Sequence, residues 1–206
     1  MTAKEALKFI VSLMMRADSP TLFAIAGGSC SGKSHFVGEL LSALDNLFLT
    51  AAVVPLDEYF KDMDDPLLPR NSEGGRLFDV PESYHEAEFI SAVTDLMKGR
   101  EVFVPAYDMV RCKRVVGAGK NVKPGNIMIA EGLFAISMLQ KNDLTWATNI
   151  FIDAQEDLRL RRRIERDVLR FGISEERVKK IFLEKVKPYH EKHIESQKRY
   201  SDIVII

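Results

Sequence analysis

Residues 27–34 read Gly-Gly-Ser-Cys-Ser-Gly-Lys-Ser, a glycine-bounded turn that closes on a lysine and a hydroxyl. The spacing fits G-x-x-x-x-G-K-[ST], with Gly27, Gly32, Lys33 and Ser34 at the fixed positions. An apolar run, Leu22–Ala26, precedes it, and Phe36, Val37, Leu40, Leu41 and Leu44 follow at helical spacing. In a strand–turn–helix the glycines let the loop wrap. The N–H groups of Gly28, Ser29, Cys30 and Ser31, and of the helix's first turn at His35, then face one point. That point suits the phosphates of a nucleoside triphosphate. Lys33 reaches the β- and γ-phosphates, and the Ser34 hydroxyl ligates Mg²⁺. A glycine-rich turn without a ligand is the plainer alternative; the correct flanks on both sides favour the phosphate site.

Carboxylates follow at telling places. Ala51–Leu56 reads as a short, fully buried strand running into Asp57, and ligands of parallel-sheet folds sit just past the C-terminal ends of strands. Ile127–Ala130 is a second apolar run ending in Glu131, the position from which a phosphate-transfer enzyme supports its metal. Asn149–Ile152 ends likewise at Asp153. A helix over 155–171 then carries Leu160, Ile164, Val168 and Phe171 as an apolar stripe, with Arg159, Arg163, Arg166 and Arg170 on another face.

The remaining segments must position these groups. Thr2 and Glu5 fit a capping box for a helix with Phe9, Ile10, Leu13 and Met14 inward. Residues 61–76 hold Pro66, Pro69, Gly74 and Gly75 and read as a long, mobile loop. A helix is expected to start near Asp79 and Pro81 and close at Gly99. Residues 102–116 read as a hairpin whose excursion carries Tyr107 and Cys112. Ser174 caps a further helix, interrupted by Pro188, and residues 202–206 form a last strand. His190 and His193 are three apart with no third ligand in sight, which reads as a solvated helix face. Apolar strands alternating with helices argue for an α/β fold, a mostly parallel sheet covered on both faces.

Composition sets the limits. A length of 206 residues without a linker suits one domain, 1–206. The formal net charge of −1 gives no electrostatic ground for a nucleic-acid partner. Two cysteines, Cys30 and Cys112, make a disulfide framework improbable and point to a cytoplasmic setting. Glu5 and Lys8 interrupt the N-terminal apolar residues, so neither a signal peptide nor a membrane span is expected. The N-terminal helix is expected to pack on the domain, with a homo-oligomer contact as the minority reading.

In their order, GGSCSGKS, LDEYF, FDVPESY, PAYDMVRCKR, IAEGLFA, FIDAQEDLRLRRRIERD and KPYHEKHIESQKRYSDIVI resemble the uridine kinase branch of P-loop kinases, related to phosphoribulokinase and pantothenate kinase. The resemblance runs over about residues 21–206. It implies a P-loop NTPase three-layer α/β/α fold with a β-hairpin excursion and an arginine-rich lid helix. It also implies ATP and Mg²⁺ as cofactors and a nucleoside-like acceptor, phosphorylated on its 5′-OH. Asp57 matches the family's base, Glu131 its water-mediated Mg²⁺ support, and Arg163 and Arg166 its lid arginines. Asp79 matches a ribose-binding residue, though it equally suits a helix N-cap. Tyr107 matches a base-contacting aromatic, though it equally suits a hairpin core. Tyr59, beside the base, is placed on the acceptor side.

Three positions depart from that pattern. Cys112 stands where the family has a pyrimidine-touching histidine, Ile173 where it has an arginine, and Ile181 where it has a glutamine. The phosphate half is intact and the acceptor half altered, which keeps other small alcohols open, as well as a catalytically silent nucleotide-binding module. No Asn-Lys-x-Asp guanine reader exists in the chain, which argues against a regulatory GTPase.

Overall fold

The computed structural model describes residues 1–15 and 20–206. Its elements in chain order are α1 (Ala3–Met14), β1 (Thr21–Gly27), α2 (Lys33–Asp45), β2 (Ala51–Pro55), α3 (Glu86–Met97), β3 (Val102–Asp108), β4 (Lys113–Val122), β5 (Ile127–Glu131), α4 (Ala135–Lys141), β6 (Thr148–Ile152), α5 (Glu156–Phe171), α6 (Glu175–Ile181), α7 (Lys187–Tyr189) and β7 (Ile203–Ile205).

Five strands form one parallel sheet in the order β2-β5-β1-β6-β7, and β3 and β4 form a separate antiparallel hairpin. The sheet is apolar on both faces. Leu22, Ala24 and Ala26 face a core with Phe89, Val93, Phe134 and Leu139, while Phe23 and Ile25 face Ile10, Phe36, Leu40 and Leu44. This is the three-layer α/β fold that the alternation of strands and helices predicts. It places β1 centrally, so the turn after Gly27 opens between the ends of β5 and β6.

Several expectations need correction. β2 is not fully buried: it is an edge strand in which Ala52 and Val54 are buried while Ala51, Val53 and Pro55 are half-buried. The Thr2–Glu5 capping box is present, but α1 buries Ala6, Ile10 and Met14, and Phe9 is exposed. α3 begins only at Glu86. Pro81–Ser83 forms its own 3₁₀ turn and His85 holds the cap position, so Asp79 is not an N-cap. The hairpin runs on to Val122, beyond the expected limit at 116. On α5 the buried residues are Arg159 and Asp167, and Val168 is exposed. Pro188 does not break the helical path. Five-residue π turns at Phe182–Val186 and His190–Ile194 flank α7 and absorb the proline's missing N–H.

Candidate active site

At Gly27 the chain leaves the sheet with φ of 151°, and a Cβ there would collide with the carbonyl oxygen of Ile152 on β6. Only glycine passes. At Gly28 a Cβ would stand 2.7 Å from Arg159 Nη1 and 3.0 Å from His190 Cε1. A guanidinium and an imidazole therefore press on the back of the turn. His190 is buried, against the expected solvated face, and its Nε2 lies 3.1 Å from Glu195 Oε2. Burial and the neighbouring Arg159 push its pKa down to about 4, so the ring is neutral at pH 7.

The front of the turn lines a cavity of about 1310 Å³. Lys33 is buried, and its Nζ donates to the carbonyl oxygens of Gly27 at 3.1 Å and Gly28 at 3.0 Å. Ser29, Cys30, Ser31, Gly32, Ser34 and His35 all open onto the same space. The Ser31 hydroxyl is buried without a hydrogen-bond partner among the described residues. The Ser34 hydroxyl donates to Glu131 Oε1 at 3.2 Å, bringing together the two residues expected at a metal. Hydroxyl and carboxylate are hard oxygen donors of the kind Mg²⁺ takes, and the glycine cradle has room for phosphate, so the residues present fit both groups.

Asp57 lies across the cavity. A 3₁₀ turn, Leu56–Tyr59, carries it, and in such a turn residues three apart share a side. Leu56 and Tyr59 point into the core, while Asp57 and Phe60 line the cavity. Tyr59, expected on the acceptor side, therefore faces away. Its ring meets Phe89 edge-on and it borders a separate cleft under the hairpin. Phe60 takes its place on the cavity wall, stacked on Tyr84 at 4.1 Å.

Solvent reaches the Asp57 carboxylate through the cavity, yet protein surrounds it. Burial raises its pKa, opposed by the charges of Lys33, Arg166 and Arg170. Burial raises that of Asp79 too, with Arg163 opposing and Asp57 adding to the rise. Glu131 is shifted upward for the same first reason, and Lys33 opposes it. Asp57 thus lies close enough to Asp79 and Glu131 for its charge to act on both, and Lys33 acts on Asp57 and Glu131.

α5 forms the roof. Arg163 Nη1 donates to the Ser29 hydroxyl at 3.1 Å, and Arg162 Nη1 to the Ser31 carbonyl at 3.0 Å. Arg163 and Arg166 both pair with buried Asp167, at 3.1 Å and 2.7 Å, which fixes two cations side by side over the loop. Arg162 and Asp167 escaped the sequence reading, although the i,i+4 spacing of Arg163 and Asp167 is a legible signal.

Tyr107 and Cys112 border the cavity from the hairpin with Met109 and Val110, and Phe171 of α5, Ile173 of the link after it and Ile181 of α6 line the cavity too. The polar groups of the hairpin turn are internally bonded. Tyr107 Oη donates to the Lys61 carbonyl at 3.1 Å, Asp108 Oδ1 accepts from Val110 and Arg111 amides, and the Cys112 thiol donates to the Met109 carbonyl at 3.5 Å.

Among the described residues no helix is long and apolar enough to cross a membrane. A curated uridine kinase of Halobacterium salinarum is 34% identical over 185 residues, covering 88% of this chain and 77% of the relative. One from Staphylococcus carnosus is 33% identical over 190 residues, covering 91% and 88%. Among solved structures, one described as a possible uridine kinase from Bacillus stearothermophilus superposes with a TM-score of 0.67 at 14% identity, over 98% of each chain, which is a likeness of fold. The family model described as "Phosphoribulokinase / Uridine kinase family" matches residues 22–206, a span that takes in the phosphate turn, both strand-end carboxylates and the arginine helix. On that match the chain belongs to the phosphoribulokinase/uridine kinase family.

Proposed function

We propose that this phosphotransferase moves the γ-phosphoryl group of ATP to a primary hydroxyl of a nucleoside-like molecule, with the 5′-OH of uridine or cytidine as first candidates. The observation that carries the reading is that Lys33 and Asp57 line one cavity, with the Lys33 charge acting on the Asp57 carboxylate. The acceptor hydroxyl sits between them.

Asp57 orients that hydroxyl and accepts its proton late, as a loose phosphoryl-transfer transition state requires. Lys33 exchanges its two loop carbonyls for phosphate oxygens. Arg163 and Arg166, preset by Asp167, face the charge that develops on the transferring oxygens, where a preorganised cation is worth more than in water. Ser34, with Glu131 behind it, would hold a divalent ion, and such an ion would supply positive charge against the phosphates. Asp79, beside Arg163 and Asp57, holds neighbouring hydroxyls of the acceptor.

A second acceptor class rests on the far wall. Met109, Val110, Cys112, Phe171, Ile173 and Ile181 offer apolar contact where a base edge is otherwise read by hydrogen bonds. That favours a small alcohol with an apolar body, or a nucleoside whose base is held without being read. The deciding experiment is ADP formation with ATP and a panel of nucleosides and small alcohols. Acceptor-stimulated ADP release is expected. Retained ATP binding with no stimulation by any acceptor would leave a silent nucleotide-binding module.

A further inference from the structure

The cavity extends to both sides of the phosphate turn, because the strand order puts the end of β2 on one side of β1 and the ends of β6 and β7 on the other, giving it two arms. One runs past Asp57, Asp79 and the hairpin, and the γ-phosphate must face that way if Asp57 is to serve the acceptor. The other arm runs past His35 and Glu39 on α2, the β6–α5 turn at Asp153–Gln155, and the end of the sheet at Ile205 and Ile206. With the γ-phosphate facing Asp57, the donor's nucleoside would extend into this second arm. Ala3, the first residue of α1, lines it too.

α1 is held at this place by specific contacts. The Met1 amine donates to the Val204 carbonyl at 3.0 Å, and the Ile206 amide donates to the Met1 carbonyl at 3.0 Å. The Thr2–Glu5 capping box fixes the direction in which the helix leaves that contact. Ala6, Ile10 and Met14 then anchor it in the core beside Ile203 and Ile205. The segment preceding β1 lies outside the residues matched by the family, 22–206.

We propose that α1 forms one wall of the donor's base slot, with Ala3 as the contact residue opposite His35 and Glu39, and Ile205 and Ile206 against the flat face of a purine. A small residue at position 3 leaves the slot open to a ring about 3.5 Å thick, the ordinary carbon–carbon contact distance. The phosphate turn recognises the triphosphate, and this slot recognises what is attached to it. The inference rests on the kinase reading, because it takes its direction from the placement of Asp57.

The test separates base from phosphate. ATP and inorganic tripolyphosphate are titrated into the wild-type chain and Ala3→Trp. The expected result is an ATP dissociation constant raised about tenfold in Ala3→Trp, with tripolyphosphate within twofold of wild type. ATP affinity unchanged within twofold overturns the proposal. Should Ala3→Trp lose both ligands alike, photolabelling of the wild-type chain with 8-azido-ATP decides: label on residues 1–15, 35–39 or 203–206 supports the slot, and label confined to 102–122 overturns it. A wild-type chain that binds neither ATP nor tripolyphosphate removes the kinase reading itself, a different outcome from label in the wrong arm.

Discussion

The Ser34 hydroxyl and the Glu131 carboxylate meet at 3.2 Å although 97 residues separate them, tying the first turn of α2 to the end of β5. Parallel neighbours β1 and β5 make this contact possible, because Ile25 is in register with Glu131. If the pair serves a divalent ion as proposed, the hydroxyl and the carboxylate are already held together and little ordering remains for ion binding.

Asp57→Asn is expected to lower kcat by at least about 10²-fold, the range seen for loss of a positioned base, while ATP affinity stays within a few-fold of wild type. Lys33→Ala is expected to lower kcat on the order of 10²–10³-fold and to weaken ATP as well, since it removes a cation from phosphate. Steady-state kinetics beside equilibrium ATP titration separates the two patterns. Near-wild-type kcat in Asp57→Asn refutes the base assignment.

His190 sets an acid limit on stability. Its folded pKa of about 4 lies below the ordinary 6.5, so the neutral ring is favoured by folding. The contribution is complete above pH 6.5 and is lost as pH falls toward 4. Burial is the main cause opposing protonation, the charges of Arg159 and Lys198 add to it, and Glu195, bonded to the ring, works against it. The urea midpoint of the wild-type chain should fall more steeply over that window than that of His190→Phe. Parallel curves for the two proteins would exclude the ring as the source.

Tyr84 is 2% exposed, and its hydroxyl has no partner among the described residues. Tyr84→Phe keeps the stack on Phe60 and removes an unsatisfied polar atom. A gain of about 1 kcal/mol is expected, read as a melting temperature about 2–4 °C higher for a chain of this size. A drop instead would reveal a hydrogen bond to water or to a ligand.

Cys112→His restores a hydrogen-bonding side chain at the hairpin wall and is expected to raise kcat/KM for uridine relative to 3-methyluridine, whose base edge is blocked. The wild-type chain should use the two nucleosides within about tenfold of one another, the scale of a single methyl in a site without edge recognition. Strong rejection of 3-methyluridine by the wild-type chain would show that some other group reads the base.

Much of this site is local in sequence and was legible there. The turn at Gly27–Ser34, the strand end at Glu131, and the caps at Thr2 and Ser174 follow from neighbouring residues and stand where the sequence puts them, while Asp57 stands on a 3₁₀ turn just past β2. The errors arise where local geometry departs from the assumed period. The 3₁₀ turn at Leu56–Tyr59 swaps the sides of Tyr59 and Phe60, which a strand reading cannot foresee. The π turns on either side of Pro188 rotate everything after Phe182, so a regular helical wheel puts His190 on the wrong face. Asp79 suits an N-cap in sequence because Pro81 follows it, but here the Pro opens a 3₁₀ turn instead and α3 starts later, at Glu86.

The prop behind Gly28 has a consequence for biosynthesis. The turn occupies residues 27–34, but its side supports are Ile152, Arg159 and His190, and β1 has no partner strand until residue 127 has been made. A nascent chain displaying the complete nucleotide motif is therefore still without a nucleotide site, and ligand cannot rescue it while translation is under way. Contacts this distant in sequence close slowly. Ribosome-bound chains halted before residue 150 are expected to stay unprotected by ATP against protease, whereas released full-length chains gain that protection.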